Sequence, residues 1–266
     1  MTDFVAPDSG SEPELIDPED FPNWIVEEDE GILAINKPGL VVCHPSKKGP
    51  WSSLVGASRE YLQQDLVHLV HRLDRETSGI CILAKDKFHA RHSQMAFQQQ
   101  LVQKEYLAVL EGELNEPIEL KNYLAKDLES EVYIKQTVRK SNSAKRAVTH
   151  FEPLLSRSGY TLAKVLPKTG RKHQIRVHAK YLGHSIVGDK IYGPDDRHYL
   201  TFIDSGYTPK MAEALGFHRQ ALHAYRIHFN APLFKRSFTA PLTQDLVQLI
   251  QTKMDCGKEE IRALID

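Results

Sequence analysis

Residues 68–79, His-Leu-Val-His-Arg-Leu-Asp-Arg-Glu-Thr-Ser-Gly, crowd His71, Arg72, Asp74, Arg75, Glu76 and Thr77 between two apolar runs. A strand that needed only burial would not carry so many charges. Leu66–Val70 and Ile80–Ala84 read as short buried strands, so the charged turn between them has rigid flanks, which is how a chemical group is aimed. Asp74, flanked by Arg72 and Arg75, is expected to stay ionised, because nearby positive charge favours the carboxylate. Such a group can act as nucleophile or base toward a substrate that bears phosphates. A structural ion-pair cluster at a strand end has the same composition, and spacing alone favours that blander reading.

A second candidate set is basic. The whole chain is nearly neutral at −1, but 11 of its 35 acidic residues lie in residues 1–30, which contain no Lys or Arg. Residues 135–180 hold 12 Lys and Arg against the single acid Glu152. Lys145, Arg146, Arg171 and Lys172 in this stretch are candidate phosphate contacts, since local density and not net charge governs binding to nucleic acid. The pairs His68/His71, His89/His92 and His173/His178 lack the accompanying Cys or carboxylate spacing of a zinc site, so no metal is expected. Cys43, Cys81 and Cys256 are odd in number and widely spaced, which fits a reducing cytoplasm better than a disulfide framework. No apolar run is long enough to span a membrane, and Met1–Val5 has none of the basic and apolar regions of a signal peptide.

The elements that must position these residues follow from pattern. Residues 1–22 are rich in Pro, Ser, Asp and Glu and read as a disordered acidic arm ahead of one domain, 23–266. Trp24–Glu28 and Gly31–Asn36 read as strands joined by a turn, with Pro38 ending the second. Asp86 is a cap for a helix to about Leu101. Lys104–Glu111, apolar on both faces, is expected to be a central strand. Further strands are expected at Ile118–Leu124, Val132–Val138, Ala147–Leu155, Tyr160–Leu166, Leu222–Phe229 and Phe234–Ala240. Helices are expected at Arg171–Leu182, ended by Gly183, and from about Thr243 to Met254. Gly193–Phe217 shows no clear period and reads as a loop or small helical insertion. Strands joined by short turns, with few intervening helices, imply an α+β fold with a largely antiparallel sheet.

His71-Arg72-Leu73-Asp74-Arg75-Glu76-Thr77-Ser78-Gly79 resembles the H-R-L-D-x-x-T-S-G signature of the RluA family of RNA pseudouridine synthases. Four further segments resemble family motifs in the family's order: Lys104–Val109 its K-x-Y-x-A-x-V strand, at Lys104, Tyr106 and Ala108, Thr169–His178 its T-G-R-x-H-Q-I-R-x-H segment, Gly188–Gly193 its G-D-x-x-Y-G loop, and Leu222-His223-Ala224 its L-H-A strand. Asn36, Lys37 and Pro38 match an N-K-P-x-G opening, although Leu40 stands where the family usually has Gly. Some members carry an additional RNA-binding S4 domain ahead of this point. Residues 1–30 are short and acidic, so the sequence resembles the minimal members without one.

The resemblance implies a mixed, largely antiparallel sheet with flanking helices and a central RNA-binding cleft. It implies an isomerase that breaks the N-glycosidic bond of a uridine in rRNA or tRNA, turns the uracil and rejoins it through C5, with no cofactor. By motif position Asp74 is the catalytic aspartate, Tyr106 the aromatic that stacks on uracil, and Arg176 the basic partner of Asp74. Arg72 corresponds to the residue that fills the stack left by an extruded uridine. Leu222 is expected to line the base slot, and Arg171, Lys172 and His173 to touch RNA or hold the loop. The chain is expected to act as a monomer. A catalytically inactive RNA-binding protein or chaperone of the same fold is the alternative, disfavoured by the complete Asp74, Tyr106 and Arg176 set. A carboxylate-dependent hydrolase would need a second acid near Asp74, for which Glu76 is the nearest in sequence.

Overall fold

The computed structural model describes residues 15–44 and 48–265. In chain order its strands are β1 (Ile25–Glu28), β2 (Ile32–Lys37), β3 (His68–Leu69), β4 (Ser78–Ala84), β5 (Val102–Glu111), β6 (Ile118–Lys126), β7 (Gln136–Val138), β8 (Lys145–Arg157), β9 (Tyr160–Pro167), β10 (Leu222–Ala231) and β11 (Phe234–Thr239). The helices are α1 (Leu54–Leu62), α2 (Lys87–Gln98), α3 (Gln174–Tyr181), α4 (Arg197–Ser205), α5 (Pro209–Leu215), α6 (Gln244–Met254) and α7 (Lys258–Ile265). All eleven strands join one sheet, ordered β1-β2-β4-β10-β5-β9-β8-β6-β7, with β3 on β4 and β11 on β10.

Every pairing is antiparallel except β4 with β10, which run parallel with His223 opposite Ser78 and Ala224 opposite Gly79. This seam explains the end of the first motif. A Cβ on Gly79, at φ 108, would sit 2.2 Å from the Ala224 carbonyl oxygen, so only glycine lets the two backbones approach. Ser78 Oγ lies 2.9 Å from His223 Nδ1, and His223 Nε2 donates to the Ala240 carbonyl at 3.1 Å. A carbonyl only accepts, so Nε2 carries the proton, and burial, which pulls the ring down to about 4, leaves Nδ1 unprotonated to accept from Ser78.

Two apolar clusters flank the seam. One is built on β2, β4, α1 and α2, and the other on β5, β9, β10, α3, α6 and α7. Tyr106 packs against both, which places it where the halves meet.

Several expectations change. Residues 1–14 of the expected acidic arm lie outside the described residues, but 15–22 pack onto the domain: Ile16 and Phe21 are buried, and the Ile16 N–H donates to Trp51 O at 2.7 Å. Two apolar side chains are enough to dock an otherwise acidic segment. Leu66–Val70 narrows to the two residues of β3. Val132–Val138 is a strand only from Gln136, because Ser130 Oγ accepts from Val132 N and a turn closes from Lys135 N to Val132 O. The expected helix from Arg171 starts at Gln174, since His173 sits at φ 54 in the left-handed region. Helices α1 and α7 were not expected. Ser53 caps α1 through Gly56 N, and Ile261 and Ile265 give α7 its buried i, i+4 face. Residues 193–217 form α4 and α5, the helical alternative of the two. Among the described residues no helix is long and apolar enough to cross a membrane.

Candidate active site

The turn between β3 and β4 is held from behind by charged groups that the fold takes out of water. Lys37, fully buried at the end of β2, donates to the carbonyls of Pro38 (2.8 Å), Val41 (2.9 Å) and Arg75 (3.1 Å). Burial pulls its pKa down to about 8. Glu76 is engaged at both oxygens: Lys190 Nζ donates to Oε1 at 2.8 Å and the Gln220 N–H to Oε2 at 3.1 Å. Lys190 also lies over the Phe202 ring, 4.7 Å from its centre, so α4 backs the same anchor. Gln220 Nε2 donates to Thr77 Oγ1, which fixes the last residue of the turn. Held in this way, Asp74 projects into a cleft of about 1090 Å³ with its side chain 35% exposed.

Arg176, from the first turns of α3, crosses beneath it. Its Nη1 donates to Asp74 Oδ2 at 3.0 Å, while Nε and Nη2 donate to Asp189 Oδ2 and Oδ1 at 2.6 and 2.8 Å. Asp189 is fully buried and also accepts the backbone N–H groups of Ile191 and Tyr192 on Oδ1. His173 Nδ1 lies 2.9 Å from the Tyr192 hydroxyl, which already accepts the Gln136 N–H, and its Nε2 is 3.9 Å from Asp74 Oδ2. With the Tyr192 proton given to Nδ1, the Nε2 proton faces the carboxylate.

Burial alone would raise the Asp74 pKa, but the Arg176 guanidinium outweighs it and holds the carboxyl below its ordinary value. The sequence expectation that Arg72 and Arg75 supply this charge is corrected. Arg75 donates to Leu40 O and lies over the Phe202 ring, Arg72 is exposed at the cleft, and the charge that acts on Asp74 is that of Arg176. Burial pushes His173 down to about 3, so its ring is neutral at ordinary pH.

Tyr106 stands on β5 opposite Ala224 on one side and Val165 on the other, with its half-buried ring lining the cleft. Burial and then the Asp74 charge push its hydroxyl pKa well up, so it remains protonated. Leu222 lines the same cleft, as do Arg72, Arg171, Lys172 and His173. The Thr169–Lys172 loop is clamped by Gln174, whose Oε1 accepts from Thr169 Oγ1 (2.7 Å) and Arg171 N (3.0 Å). Lys145 and Arg146 do not line the cleft. They are exposed at the head of β8, where consecutive side chains point to opposite faces of the strand. Lys104, two residues before Tyr106 on the same face, lines the cleft with its pKa lowered to about 8 by burial and by Arg171.

The profile of the RNA pseudouridylate synthase family matches residues 31–181. The chain belongs to that family, in its RluA branch. It is 36% identical over 188 residues to an uncharacterised RNA pseudouridine synthase of Mycoplasma pneumoniae, spanning 68% of this chain and 59% of that protein. It is 35% identical over 252 residues to the ribosomal large subunit pseudouridine synthase D of Xylella fastidiosa, spanning 88% of this chain and 70% of that one. The fold is that of human RNA pseudouridylate synthase domain containing 4, with a TM-score of 0.69 at 24% identity over 88% of this chain and 94% of that one. Within the family pattern, the structure brings all five motifs to one cleft, the fourth, Gly188–Gly193, lining it through Lys190 and Ile191 while Asp189 holds Arg176 from behind.

The sequence reading gave no role to Asp189, Lys190, Lys37, Lys104 or Tyr192. The motif loop that contains three of these was visible, but nothing in its spacing says that it faces Arg176. Among the paired histidines, five have hydrogen-bond partners within the fold: His71 Nε2 accepts from Ile82 N, His89 meets Asp86, His92 meets Phe88 O, His173 meets Tyr192, and His178 meets Asn122.

Proposed function

We propose that this protein isomerises specific uridines to pseudouridine in structured RNA, with Asp74 as the carboxylate that acts on the ribose. The observation that carries the reading is an ionised Asp74, engaged at one oxygen only, at the floor of a cleft beside Tyr106. Oδ1 of Asp74 has no hydrogen-bond partner among the described residues, which leaves it available to a ribose bound in the cleft that Asp74 lines. A uridine extruded from its helix, at a cost of a few kcal/mol, can stack its uracil on Tyr106 and against Leu222 while Arg72 occupies the gap it leaves. Lys104, Arg171 and Lys172 are the cations in reach of the flanking phosphates. The hydroxyl of Tyr106, protonated at neutral pH, can give a proton to the turning base.

Relatives named as ribosomal large subunit pseudouridine synthases favour large-subunit rRNA over tRNA as the substrate. Glu76, with both oxygens bound, is not free to serve as the second acid of a hydrolase. Release of tritium from RNA labelled at C5 of uridine tests the activity, because only rejoining through C5 expels that hydrogen. Large-subunit rRNA is the RNA to try first, with tRNA as the comparison. No release from either, with the protein folded and binding RNA, would favour the inactive RNA-binding alternative.

A further inference from the structure

We infer that Asp189 is a positioning residue of the reaction: by occupying Nε and Nη2 of Arg176, it restricts that guanidinium to one hydrogen bond with Asp74 and keeps Asp74 Oδ1 open to the ribose. The inference rests on the proposed role of Asp74. A guanidinium presents its donors in a rigid planar fork, and a carboxylate gains most by taking two of them side by side. Asp74, left alone with Arg176, would therefore draw it into a two-point pair that ties up both carboxylate oxygens. Asp189 takes that two-point geometry first, through contacts of 2.6 and 2.8 Å, and leaves only Nη1 to reach Asp74, at 3.0 Å.

Three features make Asp189 the stronger competitor. It is fully buried, so no water replaces what Arg176 gives it. Its Oδ1 also accepts the Ile191 and Tyr192 N–H groups at 2.9 and 3.0 Å, which fix its rotamer. The loop that carries it is packed closely: Gly188 is at φ 79, with the space for a Cβ filled at 2.0 Å by the Arg219 carbonyl oxygen. One guanidinium between two carboxylates also leaves a net negative charge, and it resides on the less engaged partner, Asp74.

The test is Asp189→Asn. The amide oxygen keeps the acceptor for the two backbone N–H groups, while the amide nitrogen opposes Nε and frees it to turn to Asp74. Single-turnover tritium release should fall by about 10²-fold, the order expected for a misplaced reacting group, with RNA affinity unchanged. In an Arg176→Lys background, where no fork exists to be divided, the same substitution should add less than about threefold, a coupling that a merely structural role would not produce. Equal losses in both backgrounds, or wild-type rates in Asp189→Asn, would overturn the inference. Absence of release by the wild type would instead remove the proposed function and this role with it. Should Asp189→Asn not fold, Asp74→Asn decides by NMR: the Arg176 Nε–H signal keeps its wild-type position if Asp189 fixes the guanidinium, and its displacement would show that Asp74 does.

Discussion

Arg176 binds the fully buried Asp189 through two nitrogens and the cleft-lining Asp74 through one. The asymmetry separates a carboxylate that serves structure from one that is left to react. Asp74→Asn preserves the shape and the Arg176 contact but removes the charge. Pseudouridine formation should fall by about 10²- to 10⁴-fold or more, with RNA affinity and melting temperature close to wild type. Activity retained in the variant, measured by tritium release, would exclude Asp74 as the reacting group.

Tyr106 separates stacking from proton donation. Tyr106→Phe keeps the ring between the two apolar clusters and should bind RNA as the wild type does, with any loss confined to the turnover rate. Tyr106→Ala removes about 1–3 kcal/mol of base stacking, which corresponds to roughly a 5- to 150-fold loss in productive binding. If Phe turns over normally, the hydroxyl moves no essential proton. If Ala does as well, the ring does not hold the base.

Buried histidines set the acid limit of stability. Burial lowers His173 to about 3 and His178 and His223 to about 4, against 6.5 in the unfolded chain. Below pH 6.5 the unfolded state therefore binds protons that the fold refuses, so stability is complete above that pH and is lost on the way down to 4. At about 1.4 kcal/mol per pH unit per group, the three together remove roughly 6 kcal/mol by pH 5, comparable with the whole stability of many domains. Urea midpoints at pH 8, 6.5 and 5 measure it. No fall between 6.5 and 5 would mean that these rings are protonated in the fold.

Leu40 reverses the usual order of Ala and Gly. It stands at φ 69, left-handed backbone that a side chain makes unfavourable by about 1–2 kcal/mol, and Arg75 Nε fixes it there by donating to its carbonyl. The side chain is buried, so both Leu40→Ala and Leu40→Gly lose packing. Only Gly relieves the backbone, and Leu40→Gly should be the more stable of the two by about 1 kcal/mol, where elsewhere Gly is the weaker. A lower urea midpoint for Gly than for Ala would show that the backbone there is unstrained.

The departure from the family's glycine at Leu40 was visible in sequence, and so were most strands and the signature, because period-2 patterns and turn residues act locally. The origin of the Asp74 charge balance was not. Arg72 and Arg75 are its sequence neighbours, yet Arg75 is engaged by the Leu40 carbonyl, and the effective cation comes from residue 176. Asp189 was hidden for the same reason: a bond between α3 and the loop after it depends on where the helix packs. Helix α1 escaped notice because Leu-Val-Gly-Ala-Ser has no clear apolar stripe, and its five residues are buried all round. Ile16 and Phe21 were lost in an acidic composition that describes the segment's average and not its two docking side chains.

The placement of the basic residues orders the salt dependence of RNA binding. Each phosphate contact releases condensed counterions, so the logarithm of affinity falls linearly with the logarithm of salt concentration, by about 0.7 per contact on single strands. Arg171 and Lys172 are exposed and line the cleft together, so replacing both by Ala should flatten the slope by up to about 1.4. Lys145 and Arg146 are neighbours on one strand and project to opposite faces, so at most one can meet an RNA that lies across either face. Their joint replacement should flatten the slope by about 0.7 or less. Filter binding from low to moderate salt compares the two variants directly. A larger change for Lys145 and Arg146 than for Arg171 and Lys172 would place the main RNA path along β8 and not over the cleft.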